Sequence, residues 1–220
     1  ANMEIKIIKE KLEKLIKLDK DFSIFGSSSH EYIINPKLTE EEIQNFEEKN
    51  QITLPDEYRE YLKNIGNGGA GPFYGLLELE DNDNNLMDLS MEFPYTYDKP
   101  LKLFEVYETM DEMDDENEEE QEQFLNEIYE KSVRGIIFLT HEGCGMYSVL
   151  VVKGEEYGNV WYFDFANDAG VYPLTSEKTG KSMRFFEWME LWIDKSLACV
   201  EKGEEELKGY AFYIKDIGEE

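Results

Sequence analysis

The sequence lacks any long uninterrupted run of apolar residues and contains little cysteine. No stretch reaches the roughly 18 apolar residues that a membrane-spanning helix needs. Lys and Glu interrupt the apolar residues of the Lys-rich N-terminus, so it has no continuous apolar stretch of the kind a secretory signal requires. The two cysteines, Cys144 and Cys199, lack the spacing of a disulfide framework. These absences predict a cytoplasmic protein with free thiols and no membrane partner.

Basic residues are also scarce, with 22 Lys and Arg against 50 Asp and Glu and a net charge of −28. A surface of this sign repels the phosphates of nucleic acids and anionic membranes, so it argues against both as partners. It attracts a basic protein over a Debye length of about 8 Å at physiological salt. Colloidal solubility is the alternative explanation, and the charge total alone does not separate the two.

Residues suited to catalysis are few, since His30 and His141 are the only histidines. His141 and Cys144 could supply two metal ligands, whereas a structural zinc needs four and a catalytic zinc three. As a nucleophile pair they would also need a third, orienting group. The Gly-rich run 67–71 follows a predicted helix instead of opening one, so it cannot direct a helix N-terminus at a phosphate. We therefore predict no enzyme, metal or cofactor, with a cryptic active site as a minor alternative.

Aromatic residues, in contrast, make up 14% of the chain, which is enough to build a core. Apolar residues at helical spacing predict helices over 4–20, 40–50, 55–65 and 183–200. Thr39 to Glu42 is a capping box at the start of the second helix. Strand signals lie near 73–79, 134–140, 146–153, 159–165 and 170–174. Short connections favour antiparallel pairing, so we predict an α+β fold with an antiparallel-rich sheet and helices packed mainly on one side.

Residues 105–130 contain 13 acids and no base. Flanking apolar residues indicate two short helical ends around a solvated acidic middle, in which Asp111 to Glu122 is the segment expected to be mobile. This densest negative patch is the candidate contact for a basic partner, and a solvated spacer is the alternative. Its candidate binding residues are Asp111, Glu112, Asp114, Asp115, Glu116, Glu118, Glu119 and Glu120.

Several blocks along the chain together resemble the SUKH superfamily. They comprise Leu38 to Glu47, Leu54 to Leu62 with Asn67-Gly68-Gly69, Cys144-Gly145, Gly158 to Asp164, and Phe185 to Trp192. The resemblance implies a SUKH-like α+β domain over 38–200, with an N-terminal helix and loop at 1–37 and a C-terminal extension at 201–220. The acidic stretch 105–130 is then an insertion, and we expect one compact domain overall.

The superfamily includes a fungal regulator of cell-wall synthesis and many bacterial immunity proteins, which bind and neutralise toxins. The resemblance therefore implies protein binding without catalysis. A 220-residue chain without long disordered arms is more similar to the immunity members. Many of their toxins are nucleases with basic substrate-binding faces, which suits an acidic inhibitor. The sequence therefore favours an immunity protein with a basic toxin as partner, and an intracellular regulatory scaffold is the alternative.

The residues that carry the resemblance also have a purely structural interpretation. Large apolar residues in such motifs are typical of a core, and an Asn-Gly-Gly run is typical of a turn with positive φ. We therefore interpret the following positions as determinants of the fold: Glu47, Leu54, Pro55, Tyr58, Leu62, Asn67, Gly68, Gly69, Trp161, Asp164, Phe186 and Trp188.

Overall fold

Four helices occupy the first part of the chain, most of the sheet follows after residue 135, and a long helix ends the described part. The computed structural model describes residues 2–82, 88–113 and 116–202. Its helices are α1 (Asn2–Leu18), α2 (Ser27–His30), α3 (Glu40–Asn50), α4 (Asp56–Asn64), α5 (Leu103–Asp111), α6 (Glu118–Ser132) and α7 (Phe185–Lys202). Its strands are β1 (Leu101–Lys102), β2 (Ile136–Gly143), β3 (Met146–Val151), β4 (Val160–Asp164) and β5 (Gly170–Pro173).

The predicted capping box starts α3. The Thr39 hydroxyl accepts a hydrogen bond from the Glu42 amide at 3.1 Å, and the Glu42 carboxylate accepts one from the Thr39 amide at 3.2 Å. Because the first amides of a helix have no partner inside the helix, this exchange satisfies them and fixes where the helix begins. The prediction of a helix over 40–50 is confirmed.

Within the described ranges, five strands form one antiparallel sheet in the order β1-β5-β4-β3-β2. Tyr162 at the centre lies opposite Ser148 on β3 and Tyr172 on β5. The predicted antiparallel meander and the α+β fold class are confirmed. The sequence did not predict β1, a two-residue strand that pairs Leu101 with Val171.

Both faces of the sheet are covered. Leu150 and Tyr162 belong to the core that α1, α3, α4 and α7 close on one side. Val149 and Trp161 point to the opposite face, which the segment containing Phe93 and the end of α6 cover. Alternation along a strand sends neighbouring residues to opposite faces, which is why β4 is buried along its whole length. Because α1, α3, α4 and α7 all pack on the face of Leu150 and Tyr162, the helices lie mainly on one side of the sheet.

The predicted strand over 73–79 is wrong. Phe73 and Gly75 have positive φ values of 56° and 107°, which break an extended path. Leu76 forms isolated bridges to Gly69 and to Thr140 on β2. The edge of β2 also meets Asn82, whose side chain accepts from the Phe138 amide at 2.7 Å and donates to its carbonyl at 3.2 Å. The Asn82 side chain thus adds to the backbone bond that the Leu77 amide donates to the Leu139 carbonyl at 2.8 Å.

The acidic segment also differs from the prediction. Helix α6 already begins at Glu118, so Glu118 to Glu122 are helical and do not belong to a non-helical acidic middle. The Asn117 side chain accepts from the Glu120 amide at 3.2 Å, and acids in the first turn interact favourably with the helix dipole. Asp114, Asp115 and most of the predicted C-terminal extension (203–220) lie outside the described residues.

Candidate protein-binding surface

Glu47 ties α3 to α4 at the start of the motif-bearing region. This buried carboxylate accepts from the Leu54 amide at 2.6 Å and from Arg59 Nη2 at 2.9 Å. Arg59 Nη2 also donates to Glu40 at 2.6 Å, and Lys63 Nζ lies 2.9 Å from the same carboxylate. The bonds from Arg59 and then Lys63 lower the pKa of Glu40 to about 2. Paired in this way, the charges hold the corner between the two helices; we refer to these residues as the α3–α4 corner.

The Asn67-Gly68-Gly69 turn follows α4. Gly68 and Gly69 have φ values of 86° and 99°, a region that other residues adopt rarely. A Cβ on Gly68 would lie 2.8 Å from the Leu76 carbonyl oxygen, so glycine is also needed for space. Asn67 Oδ1 accepts from the Leu79 amide at 2.8 Å, and its Nδ2 donates to Glu80 at 2.9 Å. The turn is therefore held by its own side chain.

Asp164 organises the turns at one end of the sheet. Its carboxylate accepts from the Asn167 amide at 2.8 Å, and Asn167 Nδ2 donates to the Cys144 carbonyl at 2.8 Å. These bonds join the β2–β3 turn to the β4–β5 turn. Cys144 lies exposed in the first of them with a φ of 54°, while the His141 ring packs on Tyr147 at 4.9 Å. Cys144 therefore belongs to a tight turn and His141 to an aromatic contact, and these are the two residues that the sequence offered as a metal or nucleophile pair.

Beside these turns, Glu142 lies partly buried on β2. Burial first of all, with a smaller contribution from the nearby Asp164 charge, raises its pKa to about 7, although the Ser148 hydroxyl donates to it. A carboxyl whose pKa lies near neutral pH is a feature that no sequence pattern indicated. Its neighbours are other side chains at this end of the sheet. We therefore interpret Glu142 as part of the fold.

The large motif residues lie in the interior. The buried positions are Leu54, Pro55, Tyr58, Leu62, Trp161, Phe186 and Trp188. Tyr58 packs edge-on against Phe185 with ring centroids 5.3 Å apart, and Trp161 packs on Phe93 at 4.9 Å. Side chains enclosed in this way cannot reach a partner without rearrangement of the core. A binding surface must therefore use other residues.

Glu57, one of many acids in the sequence, has a role that sequence reasoning missed. Its carboxylate accepts from the Phe186 amide at 2.8 Å and from Arg184 Nε at 2.8 Å. It thereby caps the start of α7 from α4, across 129 residues of chain. Among 50 acids, no local signal distinguishes this one, because its partner is distant in sequence.

Helices α5 and α6, with residues 112, 113, 116 and 117 between them, form what we call the acidic hairpin. Gln121 Nε2 on α6 donates to the Met110 carbonyl on α5 at 3.1 Å, and Tyr129 packs on Phe163 of the sheet at 6.0 Å. Predicted partner-contact residues that are exposed on it are Asp111, Glu112, Glu116, Glu118, Glu119 and Glu120. The structure therefore collects the described members of that set on one exposed feature.

The outer face of α6 continues this negative surface. A shallow groove there is lined by Glu119, Glu122, Gln123, Asn126, Glu127 and Glu130. The sequence from 103 to 130 has neither Lys nor Arg, so no base of this segment neutralises the carboxylates. Such a surface attracts a cationic face and offers amide side chains as additional hydrogen-bonding groups.

Across residues 2–82, 88–113 and 116–202, no three or more His, Cys, Asp or Glu side chains are grouped as a metal site. Of the helices in these ranges, none combines the length and the apolar character needed to cross a bilayer. The described chain thus presents a buried, internally paired motif region and an exposed acidic hairpin.

An antiparallel sheet with helices mainly on one face defines an α+β domain. The chain belongs to the SMI1 / KNR4 family (SUKH-1), whose model matches residues 37–179. The resemblance deduced from the motifs is confirmed. The match spans the acidic hairpin and ends before α7, so Phe186 and Trp188 lie beyond it. The chain matches no curated protein and no solved structure.

Proposed function

We propose that this chain is an immunity protein that binds a basic toxin and blocks it. Domains of the family generally bind protein partners and are generally not catalysts. The observation that carries the finer proposal is the acidic hairpin, in which exposed carboxylates accumulate without a base between residues 103 and 130. A nuclease toxin binds phosphates through a basic groove, and a cluster of exposed carboxylates can occupy that groove in place of the substrate.

Electrostatic complementarity acts mainly on the rate of encounter. Association of two proteins without steering proceeds at about 10⁵–10⁶ M⁻¹s⁻¹ and rises steeply at low salt when opposite charges face each other. Because the hairpin carboxylates are exposed, they pay little desolvation cost until the partner covers them. The hairpin should therefore set the association rate and its dependence on ionic strength.

The test compares the natural chain with a variant in which Asp114, Asp115, Glu116, Glu118, Glu119 and Glu120 are replaced by Asn or Gln. We expect a toxin gene next to the gene for this chain, and its product is the partner in the test. Stopped-flow fluorescence follows association across a salt series. We expect the association rate at low salt to fall by about tenfold or more and its salt dependence to flatten. A parallel assay measures toxin activity with and without each chain.

The matched control neutralises six exposed acids elsewhere, namely Glu4, Glu10, Glu13, Glu41, Glu48 and Glu155. Both variants change the net charge equally, so only position differs between them. Equal rates for the two variants would exclude the hairpin as the contact. A complex that forms while the toxin stays active would contradict the immunity role and favour the regulatory scaffold.

A further inference from the structure

A shallow, open cleft of about 480 Å³ lies between the N-terminal segment and the turn after α4. Its walls include His30, Ile33, Tyr74, Leu77, Glu78 and Asp81. The backbone beneath it is fixed by bridges from Ile34 to Gly69, from Gly69 to Leu76 and from Leu76 to Thr140, which extend the sheet beyond β2. The Ala70 amide donates to the Ile33 carbonyl at 2.7 Å. These backbone bonds therefore hold the walls of the cleft within the fold.

Large apolar side chains that reach solvent cluster at its rim. Ile33 is 60% exposed, Tyr74 is 45% exposed and Phe25 is 37% exposed. The Phe25 and Tyr74 rings are 5.3 Å apart. Single exposed apolar residues are common on protein surfaces, but a cluster beside a concave site marks an interaction surface. Aromatic side chains also contribute much of the binding energy at protein interfaces.

The charges in the cleft are negative. Asn35 Nδ2 donates to Glu78 Oε1 at 3.1 Å, and the Glu78 amide donates to Asp81 Oδ2 at 2.9 Å. Each bond uses one oxygen of an exposed carboxylate and fixes its position. The Tyr32 amide donates to His30 Nδ1 at 3.0 Å, and burial lowers the pKa of His30 to about 4. At neutral pH this histidine adds no positive charge, so the cleft favours a cation.

We propose that this cleft binds a protein segment in which an arginine or lysine lies next to an apolar residue. The apolar side chain packs on Ile33 and Tyr74, and the cationic group meets Glu78 and Asp81. The inference rests on the proposed protein-binding role and adds a second contact surface to the acidic hairpin. Phe25 and Ile33 precede the family match at residue 37, whereas Tyr74 to Asp81 lie inside it. The cleft thus combines residues inside and outside the range that the family model matches.

The probes are two synthetic peptides, acetyl-Gly-Leu-Arg-Leu-Gly-amide and the same peptide with citrulline in place of arginine. Citrulline keeps the shape of arginine without its charge. Each is titrated into the ¹⁵N-labelled full chain and followed by amide chemical shifts. We expect saturable shifts at Ile33, Gly69 and Leu77 with the arginine peptide. The citrulline peptide should bind about three- to tenfold more weakly.

The variant Glu78→Gln/Asp81→Asn keeps both hydrogen-bond acceptors and should lose affinity for the arginine peptide by about the same factor. Ile33→Ser should weaken both peptides. The matched control Glu10→Gln/Glu13→Gln, on the exposed face of α1, changes the charge equally and should bind as the natural chain does. Circular dichroism verifies the fold of each variant.

Shifts confined to the acidic hairpin, equal affinity for both peptides, or no saturable shift would each overturn the proposal. The outcome is separate from the immunity proposal, because the peptides require no toxin. Binding of the arginine peptide at the cleft together with an unblocked toxin would reject immunity and keep the cleft. A blocked toxin with no peptide response at the cleft would do the reverse.

Discussion

The α3–α4 corner and the acidic hairpin are both built from glutamates, yet their carboxylates have opposite settings. Glu47 in the corner is buried and shares Arg59 with Glu40. Glu118 and Glu119 on the hairpin are exposed on a segment without a base. A buried carboxylate needs fixed partners, whereas an exposed one is satisfied by water and remains available. The location of its partners, more than the residue type, decides whether an acid stabilises the fold or offers charge to another molecule.

The largest expected effect on stability comes from removing an aromatic side chain, and it should differ between the interior and the acidic hairpin. Trp161→Ala empties a fully buried site and should lower the free energy of unfolding by about 3–5 kcal/mol. Phe104→Ala, on the exposed side of α5, should cost less than about 1 kcal/mol. Urea unfolding followed by circular dichroism measures both. Equal losses would remove the distinction between the two regions.

A smaller effect is expected at the corner itself. Glu47→Ala leaves the Leu54 amide without its acceptor and removes one of the two carboxylates that Arg59 binds, so it should destabilise the fold by about 2–4 kcal/mol. Glu48→Ala, at the exposed neighbouring position on the same helix, serves as the control and should change stability by less than about 0.5 kcal/mol. A Glu47 variant as stable as the Glu48 variant would show that the ion pair adds no stability.

Glu142 extends the comparison of buried and exposed acids, because burial raises the pKa of its carboxyl. Its folded pKa, about 7, is above the ordinary 4.5, so the folded state holds the proton more tightly than the unfolded state. The stability that this protonated carboxyl contributes to the folded state is fully present below pH 4.5 and is lost as the pH rises through about 7. The stability of Glu142→Gln relative to the natural chain should therefore rise by about 3 kcal/mol between pH 4 and pH 8. Urea midpoints at these pH values test this, and a constant difference between the two chains would contradict it.

The smallest effect on stability is expected from the neutralised hairpin. Replacing the six acids at 114–116 and 118–120 relieves like-charge repulsion but also weakens the favourable interaction with the α6 dipole. These terms oppose each other, so the free energy of unfolding should change by less than about 0.5 kcal/mol. A thermal melt measures it beside the binding assay. A large loss would mean that the carboxylates hold the fold, which would remove the contrast with the α3–α4 corner.

Much of the fold could be predicted because its signals are local. Thr39 and Glu42 fix the start of α3, and runs of β-branched and aromatic residues bounded by Gly, Asn or Asp mark β3 and β4. The apolar residues at 73–79 led to the wrong prediction of a strand. Phe73 and Gly75 adopt positive φ, which a hydrophobic pattern does not encode. The predicted partner-contact residues and the division into a core domain with two extensions stay predictions.

By itself, the sequence determined the periodicity of the helices and strands, the family motifs and the strong negative charge. Tertiary structure decided what each acid does. Glu57 caps α7 from 129 residues away, Glu47 is enclosed by Arg59, and Glu78 reaches a cleft beside Ile33. Local patterns arise from neighbours along the chain, whereas burial and pairing of a charge depend on residues that only folding brings together.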